Sequence, residues 1–304
     1  MRTFLLTIAA IFCYFSTMQA EIKNITILST GDTHSCLTTG GERDANLVGN
    51  FGGISRAATV IQQTKMQDPN TILLHSGDLF IGDLLFNTTF GIPELTLMTS
   101  LGYDALTLGN HEFDLTPMVL TLALGTAFQE GGFPVLSANA IIPDVEDLAV
   151  LKQIIAPYTI VEREGVKIGI FGMTTPETNV LSLPKPIFLD TLIIEIATAT
   201  VMELQAKECD AIVFLSHLGF ELDNAVATYV DGINLVIGGH THLELTEPLI
   251  VDNAYGSKVP IIHTGAFYHN MGKTILSIDT EKKKVSVADY EMIRLDNKIE
   301  EVKT

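Results

Sequence analysis

The chain has 304 residues, of which 47% are hydrophobic and 18% charged, so it carries enough apolar side chain for a large packed core and is not a disordered polymer. Three cysteines, with 24 glycines and 11 prolines, exclude a disulfide scaffold and a collagen-like repeat. A formal charge of −18 repels polyphosphate backbones, which excludes nucleic-acid polymers as partners; an anionic small substrate would need bound cations to reverse the field locally.

Residues 1–20 hold one charge, Arg2, before the apolar run Phe4 to Phe15, with Ser16, Thr17 and Gln19 after it. This is the pattern of a secretory signal. The mature chain is expected to be secreted or periplasmic, with no membrane contact once the signal is cut; anchoring by an uncleaved signal is the alternative. Cys36 and Cys209 then remain, one after the carboxyl end of a strand and the other before the amino end of another, and both are expected to be free. Asn24-Ile25-Thr26 and Asn87-Thr88-Thr89 fit the glycosylation acceptor pattern.

From residue 24, β-branched runs alternate with helical periodicity. Ile25 to Leu28 is predicted as a strand, and Ile54, Ala57, Ala58 and Ile61 mark one face of a helix. Thr71 to Leu74 is the next strand, Pro93 opens a helix, and Ala105 to Leu108 and Pro134 to Ser137 add two strands. Tyr158 to Arg163 and Val166 to Phe171 flank Glu164-Gly165 as a hairpin. Ile194, Ala197, Val201 and Leu204 mark a helix that feeds the strand Ala211 to Leu215. Strands at Val236 and Ile237, Val259 to Ile262, Thr274 to Ile278 and Val285 to Asp289 follow, the last three without helices between them. The order predicts an α/β fold in layers, with a partly antiparallel second sheet. No linker or repeat interrupts it, so one domain is expected over 21–292, with a charged, frayed tail over 293–304.

Polar residues collect where the strands end. Ser29-Thr30-Gly31-Asp32-Thr33-His34 closes the first strand, Ser76-Gly77-Asp78 the second and Gly109-Asn110-His111-Glu112-Phe113-Asp114 the third. Ser216-His217-Leu218-Gly219 and Gly238-Gly239-His240-Thr241-His242 close two later ones. In open α/β sheets the carboxyl ends of parallel strands build the ligand crevice, so these five segments are expected to meet. Asp-x-His or Gly-Asp alone is common in ordinary turns. The joint pattern is more telling, because five of the eight histidines lie in these segments. Mixed nitrogen and oxygen ligands suit Zn, Mn, Fe or Co; one ion would be overfilled, and a pair sharing a carboxylate fits the donor count.

The ordered set Gly-Asp-x-His, Gly-Asp, Gly-Asn-His-Glu-Phe-Asp, Ser-His-Leu-Gly and Gly-Gly-His-Thr-His resembles the calcineurin-like metallophosphoesterases, and within them the catalytic domain of the 5′-nucleotidase branch. Phe51-Gly52-Gly53-Ile54-Ser55-Arg56 and Leu101-Gly102-Tyr103-Asp104-Ala105 add to the likeness, which runs from residue 24 to about 290. The resemblance implies a four-layer αββα sandwich, a single domain with mixed sheets, and two divalent metal ions. It implies Asp32, His34, Asp78 and His242 around one ion and Asp78, Asn110, His217 and His240 around the other, with Asp78 bridging. A water activated between the ions would attack phosphorus in line, with His111 stabilising the transition state or protonating the leaving oxygen and Asp114 orienting His111.

The substrate is then expected to be a small phosphate monoester such as a nucleotide. Members of this branch usually carry a further C-terminal domain whose aromatic pair clamps the base, and with only 12 residues after Met292 no such domain is expected on this chain. The expectation is therefore broad phosphomonoesterase activity with a weak nucleotide preference. A metal- or nucleotide-binding protein without turnover, or a catalytic half that needs a partner chain for selectivity, are the alternatives. His75 stands where the branch more often has a carboxylate and reads as a support for the ligands or a plain strand-end residue. His263 and His269 read as surface loop, Glu112 as structural, Asp83 as a loop acid and Asp104 as a turn residue.

Overall fold

The structure is a computed structural model that describes residues 22–45 and 47–302; the expected signal segment lies outside them. Runs such as Ala211 to Leu215 are apolar at every position because both faces of each strand are covered. Seven strands form one sheet in the order Lys284–Arg294, Asn270–Asp279, Ile22–Thr30, Ile72–His75, Ala105–Thr107, Val135–Leu136 and Ile155–Ala156. Six form the other, in the order Leu249–Asp252, Lys258–His263, Leu235–Gly238, Ala211–His217, Val166–Thr174 and Tyr158–Arg163.

Alternation along each strand sorts the core into three apolar layers. Ile25, Ile27, Ile72 and Leu74 of the first sheet meet Ile168, Val213, Leu215 and Ile237 of the second. Leu28, Leu73 and Leu106, on the opposite face of the first sheet, pack on Ile61, Leu95, Met98 and Leu120, which lie on the helices Ile54–Gln67, Ile92–Leu101 and Thr116–Ala127. Ile212, Phe214 and Val236 on the outer face of the second sheet pack on Val201, Leu204 and Val226 from the helices Ile193–Ala206 and Phe220–Tyr229. Three apolar layers separate four structural ones, which is the expected αββα sandwich.

Within each sheet a parallel core sets the direction. Ile22–Thr30, Ile72–His75 and Ala105–Thr107 run together, as do Val166–Thr174, Ala211–His217, Leu235–Gly238 and Lys258–His263. Antiparallel character is not confined to the second sheet. Asn270–Asp279 returns to the first sheet antiparallel to Ile22–Thr30, and Lys284–Arg294 extends that edge. The last strand passes Met292, and the tail is not frayed through residue 302. Leu295 is fully buried, its carbonyl accepts the Gly52 N–H at 2.7 Å, and Glu301 lies 3.4 Å from the Arg56 guanidinium. That segment is strapped across the helix Ile54–Gln67, whose Thr59 hydroxyl donates to the Glu300 carbonyl.

The helices Thr116–Ala127 and Phe220–Tyr229 and the strand Leu249–Asp252 carry weaker sequence signals than the rest. Thr116–Ala127 is apolar around most of its circumference, so no polar face reveals its period. Cys36 and Cys209 are both free, as expected. Among the described residues no helix is long and apolar enough to cross a membrane.

Candidate metal centre

The chain ends of the parallel strands meet at one edge through backbone hydrogen bonds. The Asp32 N–H donates to the Gly77 carbonyl at 2.8 Å and the His34 N–H to the Asp78 carbonyl at 3.0 Å, which zips the loop after the first strand to the loop after the second. The third loop joins through the His111 N–H, which donates to Asp78 Oδ1 at 3.0 Å. The fifth joins through the His240 N–H, which donates to Asp32 Oδ1 at 2.8 Å. Such close passage requires glycine at Gly109, where a Cβ would stand 2.1 Å from Asp78 Oδ1, and at Gly77, where φ is +95° and a Cβ would stand 2.4 Å from His217 Nδ1.

Asp32, His34 and His242 bring one ligand atom each into a single group, and Asp78, His217 and His240 form a second. His34, Asp78 and His111 form a third that links them. The sequence-predicted residues therefore converge. Asp32, His34, Asp78, Asn110 and His217 are buried, while His111 and His240 are partly exposed and His242 is exposed. His34 Nδ1 donates to the Ile81 carbonyl at 2.8 Å, which turns Nε2 toward the centre, where His242 Nε2 is its hydrogen-bond partner at 3.0 Å. His217 Nδ1 donates to the Ser76 carbonyl at 2.6 Å, which turns its Nε2 toward Asp78 Oδ2 at 3.0 Å. A backbone carbonyl on the far nitrogen is the usual way a protein fixes a metal-binding imidazole.

Two observations test whether these residues suit a cation. His217 Nε2 and Asn110 Oδ1 are buried without a hydrogen-bond partner among protein atoms, a costly condition that a bound cation would relieve. His217 Nε2 does lie at contact distance from Asp78 Oδ2, but the alignment is not that of a hydrogen bond. Second, five of the seven predicted ligands, Asp32, His34, Asp78, His240 and His242, have positive φ between 49° and 73°. Side-chain-bearing residues rarely adopt that conformation, and strain of this kind gathers at functional sites.

The electrostatics agree. Burial pushes the Asp32 carboxyl up to about 8. Burial opposes the charge on His217 and Asp78 alike, but each stabilises the other, so His217 is raised to about 10 and Asp78 is held well below the usual carboxylate range. Burial and the neighbouring His34 lower His242 to about 4. The desolvated Asp78 carboxylate thus faces a cationic His217, beside an uncharged His242, and a divalent ion at these donors would take the place of the His217 proton.

His111 Nδ1 meets Asp114 Oδ2 at 2.6 Å, so the carboxylate fixes the ring. That bond is the main cause that raises His111 to about 9. Glu112 is structural, as expected. Its buried carboxylate accepts the N–H groups of Asp78, Leu79, Phe80 and Gly109 at 2.6–3.1 Å, and so binds the second and third ligand loops together.

Of the other residues singled out from the sequence, His263 departs from its reading. His75 is fully buried and supports the ligands: it accepts the Gly77 N–H at Nδ1 and meets the Thr33 hydroxyl at 2.9 Å through Nε2. His263 is not in a surface loop; it is buried and bonded to Asp223 at 2.8 Å, and Asp223 also receives the Ser216 hydroxyl. This triplet braces the strand end that carries His217. Asp83 accepts the Leu85 N–H in its loop, and Asp104 accepts the Leu73 N–H and pairs with Arg163. Two neighbours of the centre were not anticipated. Glu177 Oε2 lies 3.2 Å from His240 Nε2, and the Phe267 ring leans on His34 and His242. Glu177 follows the parallel strand Val166–Thr174, a sixth strand end that the same topological rule covers. A cleft of about 880 Å³ between Glu42, Arg56 and Glu301 shares no residue with the centre, so donor chemistry and not cavity size locates the site.

Comparison with known proteins agrees with this geometry. The family model for calcineurin-like phosphoesterase matches residues 25–244. A snake venom 5′-nucleotidase from Gloydius brevicauda is 32% identical over 98% of this chain and 52% of its own length. The 5′-nucleotidase of Homo sapiens is 32% identical over 86% of this chain and 48% of its own. The crystal structure of a 5′-nucleotidase precursor from Thermus thermophilus superposes with a TM-score of 0.82 at 30% identity, covering 91% of this chain and 55% of that one. The chain thus spans about half the length of these relatives. With its strand-end donors converged and its fold shared, the chain belongs to the calcineurin-like phosphoesterases, a family of metal-dependent hydrolases.

Proposed function

We propose that the chain is a dinuclear-metal phosphoesterase that hydrolyses small phosphate monoesters, nucleoside 5′-monophosphates among them, and that residues 1–20 direct its export. Asp32, His34, Asp78 and His242 would hold one divalent ion and Asp78, Asn110, His217 and His240 the other. The observation that carries the reading is the pair of three-residue ligand groups, linked through Asp78 and His34, beside the bare donor atoms of His217 and Asn110. The name 5′-nucleotidase on relatives about 32% identical supports the nucleotide as substrate class.

Held by these residues, two divalent cations would supply charge against the phosphoryl oxygens and a lowered pKa for a water. The chain's own residues do the rest. Asp114 holds His111 by Nδ1, so His111 Nε2 is the proton-bearing atom that meets the phosphoryl or leaving-group oxygen. Glu112 fixes the distance between the loop of Asp78 and the loop of Asn110 and His111. Asp32 and His240 are tied by the bond between the His240 N–H and Oδ1, so the two ligand groups keep one geometry as substrate binds.

The test is metal removal. A strong chelator should abolish hydrolysis of AMP and of an aryl monophosphate, and Mn, Co or Zn should restore it. Turnover that survives with elemental analysis showing no metal would refute the mechanism. Amino-terminal sequencing of the protein recovered outside the cell should begin near Glu21; retention inside the cell would refute export.

A further inference from the structure

Phe267 is exposed by 37%, yet its backbone is strained to hold the ring where it stands. The turn after the strand Lys258–His263 places Phe267 and Tyr268 in consecutive left-handed conformations, with φ of 59° and 54°. Both are bulky L residues, for which this region is unfavourable. The kink drives Tyr268 inward, where it is 1% exposed, and turns Phe267 outward. The Phe267 N–H donates to the Asp32 carbonyl at 2.8 Å, so the turn is tied to a ligand residue.

The ring stands 5.4 Å from the His34 ring and 5.3 Å from the His242 ring. His34 is also 5.1 Å from His111. His34 is therefore in ring contact with both the proton-bearing His111 and the phenyl ring. A leaving group with its ester oxygen at His111 and its body across His34 reaches Phe267. Beyond it the aromatic surface continues through His269, at 5.8 Å, to Phe51, 4.7 Å further on. An apolar ring kept at a charged centre, on strained backbone and open to solvent, adds nothing to the core; a flat partner would complete it.

We propose that Phe267 is the stacking platform for the aromatic part of the leaving group, a nucleobase or an aryl ring, and so determines specificity on this domain. The proposal rests on the phosphoesterase reading above. Base-on-aromatic stacking is sequence-tolerant, so the platform should favour flat leaving groups without strong choice among bases.

AMP and ribose 5-phosphate separate the cases, because they share the phosphorylated sugar and differ by the base. On the Mn-loaded full chain, kcat/KM for AMP should exceed that for ribose 5-phosphate. Phe267→Leu should reduce the AMP value by roughly 5- to 100-fold more than the ribose 5-phosphate value, with the difference in KM. Phe267→Trp should restore it, and Phe188→Leu, at an exposed ring in the strand Phe188–Leu189 that makes no ring contact with the candidate ligands, should leave the ratio alone. Equal losses on both substrates, or loss of bound metal in Phe267→Leu, would show that the ring only props the ligand imidazoles and would overturn the proposal. Hydrolysis of ribose 5-phosphate by the wild type upholds the phosphoesterase reading whatever Phe267 does, whereas a wild type that cleaves neither ester overturns both.

Discussion

His75 should make the stability of this fold depend on pH in a way that one substitution removes. The imidazole is fully buried, and the Gly77 N–H donates to Nδ1 at 3.2 Å, so the ring's proton must sit on Nε2, which donates to Thr33. A second proton would be buried, would face that N–H donor and would lie near the cationic His217; burial, the largest cause, together with His217 depresses His75 from 6.5 to about 3. A depressed pKa means that the unfolded chain takes up a proton below about 6.5 while the folded chain does not. The stability that neutral His75 contributes is therefore complete above pH 6.5 and lost as the pH falls from there toward 3. The loss is about 1.4 kcal/mol per unit, or roughly 2 kcal/mol at pH 5. His75→Asn keeps an acceptor for Gly77 and loses the Thr33 bond and some packing, a cost of about 1–3 kcal/mol at pH 7.5. In urea titrations of both proteins after the same chelator wash, that difference should shrink by about 2 kcal/mol between pH 7.5 and pH 5. A difference that stays constant across this range would show that His75 is not held neutral, and the argument would fail.

Metal ligation and proton transfer should separate by mutation. Asp78→Ala removes the residue shared by both proposed ligand sets and should lower metal content and rate together, whereas His111→Ala should keep about two ions and lose on the order of 10²-fold or more in turnover; metal loss in His111→Ala would reverse the assignment. Glu112→Gln puts an amide NH₂ among four backbone donors and should destabilise the fold by about 2–4 kcal/mol in thermal or urea unfolding, and an unchanged midpoint would remove Glu112 from its role as the clasp between loops.

The sequence showed the site more fully than the periphery of the fold, for a physical reason. Parallel strands deliver their carboxyl ends to one edge, so Asp32, Asp78, Asn110, His217, His240 and His242, distant in sequence, could be placed together without coordinates. His75 and His263 were harder, since a buried histidine and a surface one look alike until its partner is known, and Thr33 and Asp223 lie 42 and 40 residues away. Glu177 and Phe267 are single residues on turns, where no period or repeated motif marks them. The tail misled through its charges. Leu295 anchors it in the core, with Ile299 packed against the same cluster, while Glu300 and Glu301 reach the helix Ile54–Gln67 through a carbonyl and a carboxylate.

The strain at the centre and the bracing around it are two sides of one arrangement. Left-handed backbone costs about 1–2 kcal/mol at each side-chain-bearing residue, and it recurs at Asp32, His34, Asp78, His240 and His242. Left alone, such loops would relax away from the geometry in which His34 Nε2 and His242 Nε2 face each other at 3.0 Å and His217 Nε2 and Asn110 Oδ1 stay unbonded. The first four loops are instead held from behind by groups that do not face the centre: Glu112 across the second and third, His75 between the first and second, and Ser216, Asp223 and His263 beneath the fourth; the fifth is tied to the first through the His240 N–H and Asp32 Oδ1. These supports are buried and hydrogen-bonded, so they can oppose the strain where solvent cannot substitute for them. The donor atoms are thereby kept in position before any cation arrives. Binding of the proposed cations would then not need to reorganise the loops.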